Sequence, residues 1–181
     1  TGITLTTVTA PTTPVVSSTD ASKLPSDDRT IAVAPVTVNE GSPYIIFKVT
    51  GGDAQYTSLD LAQVSGSARL GTDTGTVLQY YDPAATNGAG AWVAYSVGDF
   101  IQIPSGGLLV RLTVSNDIPA DNGETFNLVA TNTSGTEVTG LGTIKDDGTG
   151  SIFSVTNTTG TSETVTAASL DDDRRLSINS L

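Results

Sequence analysis

Apolar and polar residues alternate in many short segments of this chain, and this period of two is the feature that most restricts its fold. In residues 108–115, every second residue from Leu108 to Val114 is apolar. Arg111 and Thr113 fall on the opposite face, as expected for a half-buried strand. We predict strands at 30–38, 44–50, 57–64, 77–81, 91–95, 100–103, 108–115, 125–131 and 139–145.

No segment shows a helical period over three turns, and the predicted strands are short and bounded by Gly, Asn and Asp. Many short strands together with 19 glycines are typical of an antiparallel β-sandwich. The chain of 181 residues is long enough for one sizeable core with extensions. The sequence therefore predicts an all-β fold, an antiparallel Greek-key sandwich with extended Thr/Ser-rich flanks.

The composition excludes several classes of function. A net charge of −11, from 19 acidic and 8 basic residues, opposes binding to nucleic acid or to an anionic membrane surface. Cysteine and histidine are absent, which removes disulfides, thiol nucleophiles, the usual general base and the commonest transition-metal ligand. No apolar run approaches the roughly 18 residues of a membrane-spanning helix, so we expect no membrane insertion.

Residues 1–30 are rich in Thr, Ser and Pro. The prolines oppose a helix, and two interpretations stay open for this segment. It is either a flexible linker or a docked edge strand, because Ile3, Leu5 and Val8 alternate with polar residues.

A short segment near the start of the chain returns near its end. Ser-Asp-Asp-Arg at 26–29 reappears as Asp-Asp-Asp-Arg at 171–174, and alternating apolar residues follow both copies. Such an echo indicates a repeat from a tandem array. We therefore predict a junction at 1–36, a sandwich at 37–147 and a junction at 148–181 that leads to the next repeat. The last segment is expected either to pack back on the sandwich or to be poorly ordered.

Acidic residues are concentrated in clusters at the ends of the predicted strands. Carboxylates crowded at one end of a sandwich repel one another unless a hard cation lies between them. Calcium accepts six to eight oxygen ligands in irregular cages, so ligands from several loops suit it. Asp and Asn are also common in turns for their own hydrogen bonds, and this reading stays open for each single acid.

The order of these clusters resembles the Calx-β repeat family. Val38–Gly41 reads Val-Asn-Glu-Gly, matching the Val-x-Glu-Gly opening of that unit, and 71–73 supplies the mid-unit Gly-x-Asp. The segment 117–126 resembles the family's Asp-x-x-x-Glu-x-x-Glu-x-Phe signature, with Asp121 in place of the middle Glu. Ile144–Gly148 resembles its closing Ile-x-Asp-Asp-Asp, with glycine in the last position.

The resemblance implies a seven-stranded sandwich that binds Ca²⁺ at one end and occurs in tandem in large secreted bacterial adhesins. It implies a non-enzymatic, calcium-binding structural repeat at the bacterial cell surface, whose partners are the neighbouring repeats of the same chain. In this interpretation Glu40 and Asp147 clamp the ion, Asp117 and Glu124 are central ligands, and the expected set is Glu40, Asp73, Asp117, Asp121, Glu124, Asp146 and Asp147.

Two further candidate sites stay open. The repeated acidic segments could hold a cation at the junctions, or they could be solvated linkers with a salt bridge; the residues are Asp27, Asp28, Asp171, Asp172 and Asp173. Aromatic residues that flank the loop at 82–90 could instead bind a surface glycan or a peptide, or simply pair across a hairpin; they are Tyr80, Tyr81, Trp92 and Tyr95.

Catalysis is not expected. A glycoside hydrolase needs only two carboxylates, but Asp117 and Glu124 fall in a tight loop without an aromatic-lined cleft. The glycine-containing segment 140–145 lacks phosphate-loop spacing and leads into a strand.

Overall fold

The computed structural model describes residues 16–18, 20–63, 68–117 and 122–162, and strands dominate their regular structure. Each predicted strand segment contains a strand, so the all-β fold is confirmed. One 3₁₀ turn (Ala21–Lys23) and one short helix, α1 (Ala85–Gly88), interrupt them. The strands are β1 (Val16–Ser18), β2 (Ala32–Val33), β3 (Val36–Asn39), β4 (Tyr44–Thr50), β5 (Tyr56–Gln63), β6 (Gln79–Asp82), β7 (Ala91–Ala94), β8 (Phe100–Gln102), β9 (Leu108–Thr113), β10 (Glu124–Asn132) and β11 (Glu137–Lys145).

The strands form two sheets that face each other as a sandwich. The first sheet has the order β1-β8-β5-β10-β11-β3, and the second has the order β2-β4-β9-β6-β7. Neighbouring strands are antiparallel, with one departure from the prediction: β3 pairs with β11 in parallel. The parallel pair makes both strands end at the same edge of the sandwich.

The core lies between the alternating inward faces of the two sheets. Phe47 from β4 and Phe126 from β10 are fully buried, and their rings meet edge to face with centroids 5.8 Å apart. A Cβ on Gly142 of β11 would lie 2.9 Å from both rings, so glycine is needed there for the two phenylalanines to meet. Period-two patterning and this close approach together fix the spacing of the sheets.

The predicted strand at 30–38 is divided in two. β2 pairs with β4 in the second sheet, whereas β3 pairs with β11 in the first. Pro35 lies between them and has no N–H to donate to a ladder, so the chain changes sheets at this point. Ile31 and Val33 are buried in the core, and the packed unit therefore begins before residue 37.

The two ends of the sandwich differ in character. We call the end formed by the β3–β4 connection, the segment after β9 and the residues after β11 the acidic pole. The opposite pole carries the β4–β5, β8–β9 and β10–β11 connections. There the N–H of Ile103 donates to the carbonyl of Gln55 at 2.7 Å, which joins two of these connections.

Residues 151–162, which we call the strap, pack back along the outer face of the second sheet. Ser151 forms a bridge with Val38 at the acidic pole, and the N–H of Phe153 donates to Ser42 Oγ at 3.0 Å. Farther along, Gly160 packs against Leu109 near the opposite pole. The strap thus packs back on the sandwich, which is one of the two outcomes expected for the C-terminal flank. Residues 163–181 lie outside the described residues.

The N-terminal flank reaches the opposite pole. The N–H of Asp27 donates to Thr133 Oγ1 at 2.9 Å, and Arg29 donates to the carbonyl of Asp53 at 3.0 Å. Upstream, β1 pairs with β8 as an edge strand, while Ile3, Leu5 and Val8 lie outside the described residues. Both the N-terminal flank and the far end of the strap therefore lie at the pole away from the acids.

Candidate metal site at the acidic pole

Glu40 lies in the turn after β3 and is almost fully buried, with 5% of its surface exposed. Its N–H donates to the carbonyl of Lys145 at 2.9 Å, which holds it beside the end of β11. Its Oε1 accepts a hydrogen bond of 2.6 Å from the N–H of Asp117, and its Oε2 is shielded from solvent. The structure thus brings Glu40 and Asp117, two of the predicted ligands, into direct contact.

Asp146 follows directly after β11 and is 6% exposed. Because β3 and β11 are parallel, Asp146 and Glu40 leave neighbouring strands at the same edge. The N–H of Asp146 donates to Asn122 Oδ1 at 3.2 Å, and its own Oδ1 is shielded from solvent. Two buried acidic residues therefore directly follow neighbouring strands at the same edge of the sheet.

Asp73 is 7% exposed and closes a tight turn at 69–75. Its Oδ2 accepts a hydrogen bond of 2.5 Å from the N–H of Arg69, and its carbonyl accepts one of 2.8 Å from Ser115. The second bond places the turn beside the segment that leads to Asp117. Asp73 belongs to the acidic pole, and its carboxylate already stabilises its own loop.

Asp147 is exposed, and its carboxylate accepts hydrogen bonds from Thr149 and Asn122. The Thr149 hydroxyl, followed by the Asn122 amide, holds the pKa of the Asp147 carboxyl below its ordinary value. Asp147 thus makes the contacts of a turn residue, the alternative that the sequence left open for each acid.

The remaining predicted ligands lie on β10 and the connection before it. Glu124 is half-buried at the start of β10, opposite Ile144. Asp121 lies outside the described residues.

The donor chemistry of the acidic pole fits a hard cation. All the side-chain donors are oxygens, since the chain has neither His nor Cys. A cation bound between neighbouring carboxylates offsets their mutual repulsion and part of the cost of removing them from water. Within 20–63, 68–117 and 122–162, however, no three acidic side chains form a group that could hold a metal ion by themselves. The acids share an end of the sandwich without forming a complete cage in this structure.

At the N-terminal junction, Asp27 is paired with a side chain of the same segment. Arg29 Nε donates to Asp27 Oδ1 at 2.9 Å, and Arg29 Nη2 donates to Oδ2 at 2.5 Å. Hydrogen bonding by Arg29 holds the pKa of the Asp27 carboxyl below its ordinary value. Asp28 is exposed, and Asp171, Asp172 and Asp173 lie outside the described residues. The copy of the repeated segment at 26–29 thus forms a salt bridge, as expected if this segment is a solvated linker rather than a cation site.

The aromatic residues around 80–95 do not share one surface. Tyr80 and Tyr95 are buried in the core, and Tyr95 Oη donates to the carbonyl of Asp99 at 2.6 Å. Burial raises the pKa of the Tyr95 phenol. Tyr81 and Trp92 are cross-strand partners on the outer face, with ring centroids 5.5 Å apart. Two of the four rings are therefore core residues.

The sequence did not reveal the role of Arg111. It lies on the outer face of β9 as predicted, but it is 8% exposed because the strap covers that face. Its guanidinium carbon lies 3.9 Å from the ring centre of Tyr44 and 4.4 Å from that of Trp92. Burial lowers the pKa of this guanidinium. The sequence left open whether 148–181 packs back on the sandwich or is poorly ordered. Because Arg111 is covered by the strap, its burial could be expected only in the first case.

Two solved structures resemble this chain at low sequence identity and low TM-score. No protein-family model matches the sequence, and no curated protein sequence matches it. The apo-form Calx CBD1 domain is 17% identical, covering 64% of this chain and 96% of its own, with a TM-score of 0.34. The periplasmic chaperone SfaE is 11% identical, covering 64% of this chain and 56% of its own, with a TM-score of 0.37. The fold assignment itself rests on the two sheets and their order.

Among the described residues, no helix has the length and apolar character needed to cross a membrane.

Proposed function

We propose that this protein is a non-enzymatic β-sandwich module that binds Ca²⁺ at its acidic pole. The observation that carries the proposal is the burial of Glu40 and Asp146, which directly follow the paired strands β3 and β11. A bound cation offsets the repulsion between such carboxylates and replaces the water that burial removes. Asp117 is the third donor, since its backbone is already bonded to Glu40.

Calcium is the cation favoured by this set of groups. Carboxylate and carbonyl oxygens are hard ligands, and calcium tolerates the irregular geometry of ligands drawn from separate loops. Magnesium demands a near-ideal octahedron and gives up its water reluctantly. We assign the remaining ligands to Glu124 and to Asp121, which follows Asp117 along the chain.

The role of the ion in this proposal is to stabilise the fold. A ligand that binds only the folded state adds about 2.7 kcal/mol of stability at a hundredfold excess over its Kd. The acidic pole joins the first sheet to the second, because Glu40 follows β3 and Asp117 follows β9. The N-terminal flank docks at the other pole, so we assign the ion to the inside of one module rather than to a junction.

We further propose that the module is one repeat of a large secreted bacterial surface adhesin, with neighbouring repeats as its partners. The repeated acidic segment at 26–29 and 171–174 supports a tandem arrangement. The docked N-terminal flank and strap support a spacer whose connections are held against the sandwich.

Glu40 and Asp73 bind backbone N–H groups, which suits acids that hold loops rather than acids that transfer protons.

Calorimetric titration of the whole chain with CaCl₂ tests the calcium assignment. We expect binding of Ca²⁺ that Mg²⁺ does not reproduce, and at least a tenfold loss of affinity in Asp146→Asn, because an ionised ligand is lost. Asp60→Asn is the matched control, since Asp60 is exposed on β5 away from the acidic pole. Equal affinity in the two variants, or no heat with Ca²⁺, would refute the assignment.

A further inference from the structure

A cavity of about 420 Å³ lies beside the strap on the outer face of the second sheet, near the opposite pole. Tyrosine and proline rings and threonine residues of the strap contribute to its lining. The lining includes Lys48, Tyr81, Pro83, Pro104, Thr158 and Thr159. Its volume is in the usual range for small-molecule sites, roughly 300–1,000 Å³.

Close contacts surround two of the side chains that line this cavity. Tyr81 is held on one side by Trp92, and its hydroxyl lies over Gly90, where no Cβ would fit. The stem of Lys48 lies across Gly107, whose φ of +91° and contact with Lys48 both exclude a side chain. Glycines at 90 and 107 thus leave room for the Tyr81 and Lys48 side chains beside the cavity.

The charge at the cavity is opposite to that of the protein. The chain carries a net charge of −11, yet the exposed Lys48 is the cation in this lining. Among the described residues, the ion pairs involve Lys23 and Arg29, and the Lys48 ammonium forms none. A ligand with a carboxylate would supply the missing counter-charge.

We propose that this cavity binds an acidic sugar, a uronate residue of a polysaccharide. The rings of Tyr81, Pro83 and Pro104 offer flat apolar surfaces to the C–H face of a pyranose, and Thr158 and Thr159 offer hydroxyls to its hydroxyl groups. Lys48 then pairs with the uronate carboxylate. The lining lies across the sheet face and two loops rather than along a strand edge, so it offers no ladder of backbone groups to an extended peptide.

An NMR titration of the ¹⁵N-labelled 181-residue chain with trigalacturonic acid tests this site. The experiment is done with a calcium chelator, so its outcome does not depend on the acidic pole. We expect shifts of the amides of Tyr81, Gly107, Thr158 and Thr159. Removing the cation with Lys48→Gln should weaken binding about tenfold, the usual loss for a charge-assisted hydrogen bond.

Matched controls separate this site from general attraction between charges. Lys145→Gln makes the same change of charge at the acidic pole and should leave the affinity unchanged. The methyl-esterified trisaccharide, which has no carboxylate, should bind about tenfold more weakly. Equal weakening by both lysine variants, equal binding of the ester, or an absence of shifts would overturn the proposal. A tetraglutamate peptide that binds as tightly as the sugar would show that the ligand is an acidic peptide.

Discussion

The carboxylate of Glu40 accepts a hydrogen bond of 2.6 Å from the backbone N–H of Asp117. Glu40 follows β3 of the first sheet, and Asp117 follows β9 of the second, so this bond links the two sheets at the acidic pole. The same carboxylate is thus a structural bond acceptor and a candidate calcium ligand.

Removing the charge of Glu40 should separate these two roles. Without calcium, Glu40→Gln keeps an acceptor oxygen for the Asp117 N–H and removes a negative charge from the acidic pole. Repulsion between the acids there decreases, so we expect an unchanged or higher free energy of unfolding. With saturating calcium, the variant should lose most of the stabilisation that the ion gives the wild type, about 2–3 kcal/mol. Urea unfolding in chelator and in CaCl₂ measures both effects.

Glu137→Gln is the control for that experiment, because Glu137 is exposed at the far end of β11. It should respond to calcium as the wild type does. A Glu40→Gln protein that gains as much stability from calcium as Glu137→Gln would remove Glu40 from the site.

Attachment of the strap depends on Gly150. It has a φ of +103°, and a Cβ there would lie 2.5 Å from the backbone of Val38 and Asn39. We expect Gly150→Ala to lower the free energy of unfolding by about 1–2 kcal/mol for the backbone conformation, and by about 1–3 kcal/mol more for the clash. Chemical unfolding measures the total.

Gly135→Ala provides a comparison with similar backbone strain. Gly135 has a φ of +87° and open space around its Cβ position, so only the conformational cost of about 1–2 kcal/mol should appear. Equal losses of stability in the two variants would mean that the chain at residue 150 does not lie as close to β3 as the structure shows.

Arg111 should be needed to hold the strap on the second sheet. Arg111→Lys loses the stacking on Tyr44 and Trp92 and the fixed donors to Gln79 and Val155. We expect a loss of about 1–3 kcal/mol of stability. The chain has a single tryptophan, so a red shift of Trp92 emission should report exposure of this face.

The control for the fluorescence experiment is Arg69→Lys, because Arg69 is exposed and contributes its backbone to the turn at 69–75. It should change neither stability nor emission. Unchanged emission in Arg111→Lys would show that the strap is held by other contacts.

The salt bridge in the N-terminal flank should respond to acid. Arg29 lowers the pKa of the Asp27 carboxyl in the folded protein below its ordinary 3.8. A depressed pKa means that this bridge contributes stability above pH 3.8, and the contribution is lost as the pH falls through the folded pKa. Titration of the Asp27 carboxyl by ¹³C NMR should give a midpoint below 3.8.

Substitution of the partner checks the cause of this shift. In Arg29→Gln the midpoint of Asp27 should move up toward 3.8, while that of Asp147 should stay low because Thr149 and Asn122 bind it. Movement of both midpoints would point to a general effect of net charge instead.

Much of the fold could be predicted from the sequence because period-two patterning is a local property. The segment at 44–50 matches β4 at both ends, and Ile45, Phe47 and Val49 form the inward face that alternation requires. The sequence placed the acids at strand ends, and the structure brings Glu40 and Asp117 together. These features depend on neighbours in the chain or on short connections.

Other features depend on contacts between distant segments and could not be predicted. The parallel pairing of β3 with β11 follows from a change of sheet at Pro35, within the segment 30–38 that was predicted as a single strand. The apolar alternation changes phase at this proline, but the phase change does not show which strand becomes the new partner. Burial of Arg111 requires a strap more than forty residues away in the chain. The roles of Tyr80 and Tyr95 were left open because alternation identifies the two faces of a strand without showing which one is buried.

The dependence of thermal unfolding on calcium tests the central claim most directly. The wild-type chain is unfolded in chelator and at increasing CaCl₂, with MgCl₂ at the same ionic strength as the control. We expect Tm to rise steadily with calcium, by several degrees at a hundredfold excess over Kd, and to change little with magnesium. A Tm that is the same in chelator, calcium and magnesium would contradict a calcium-stabilised module.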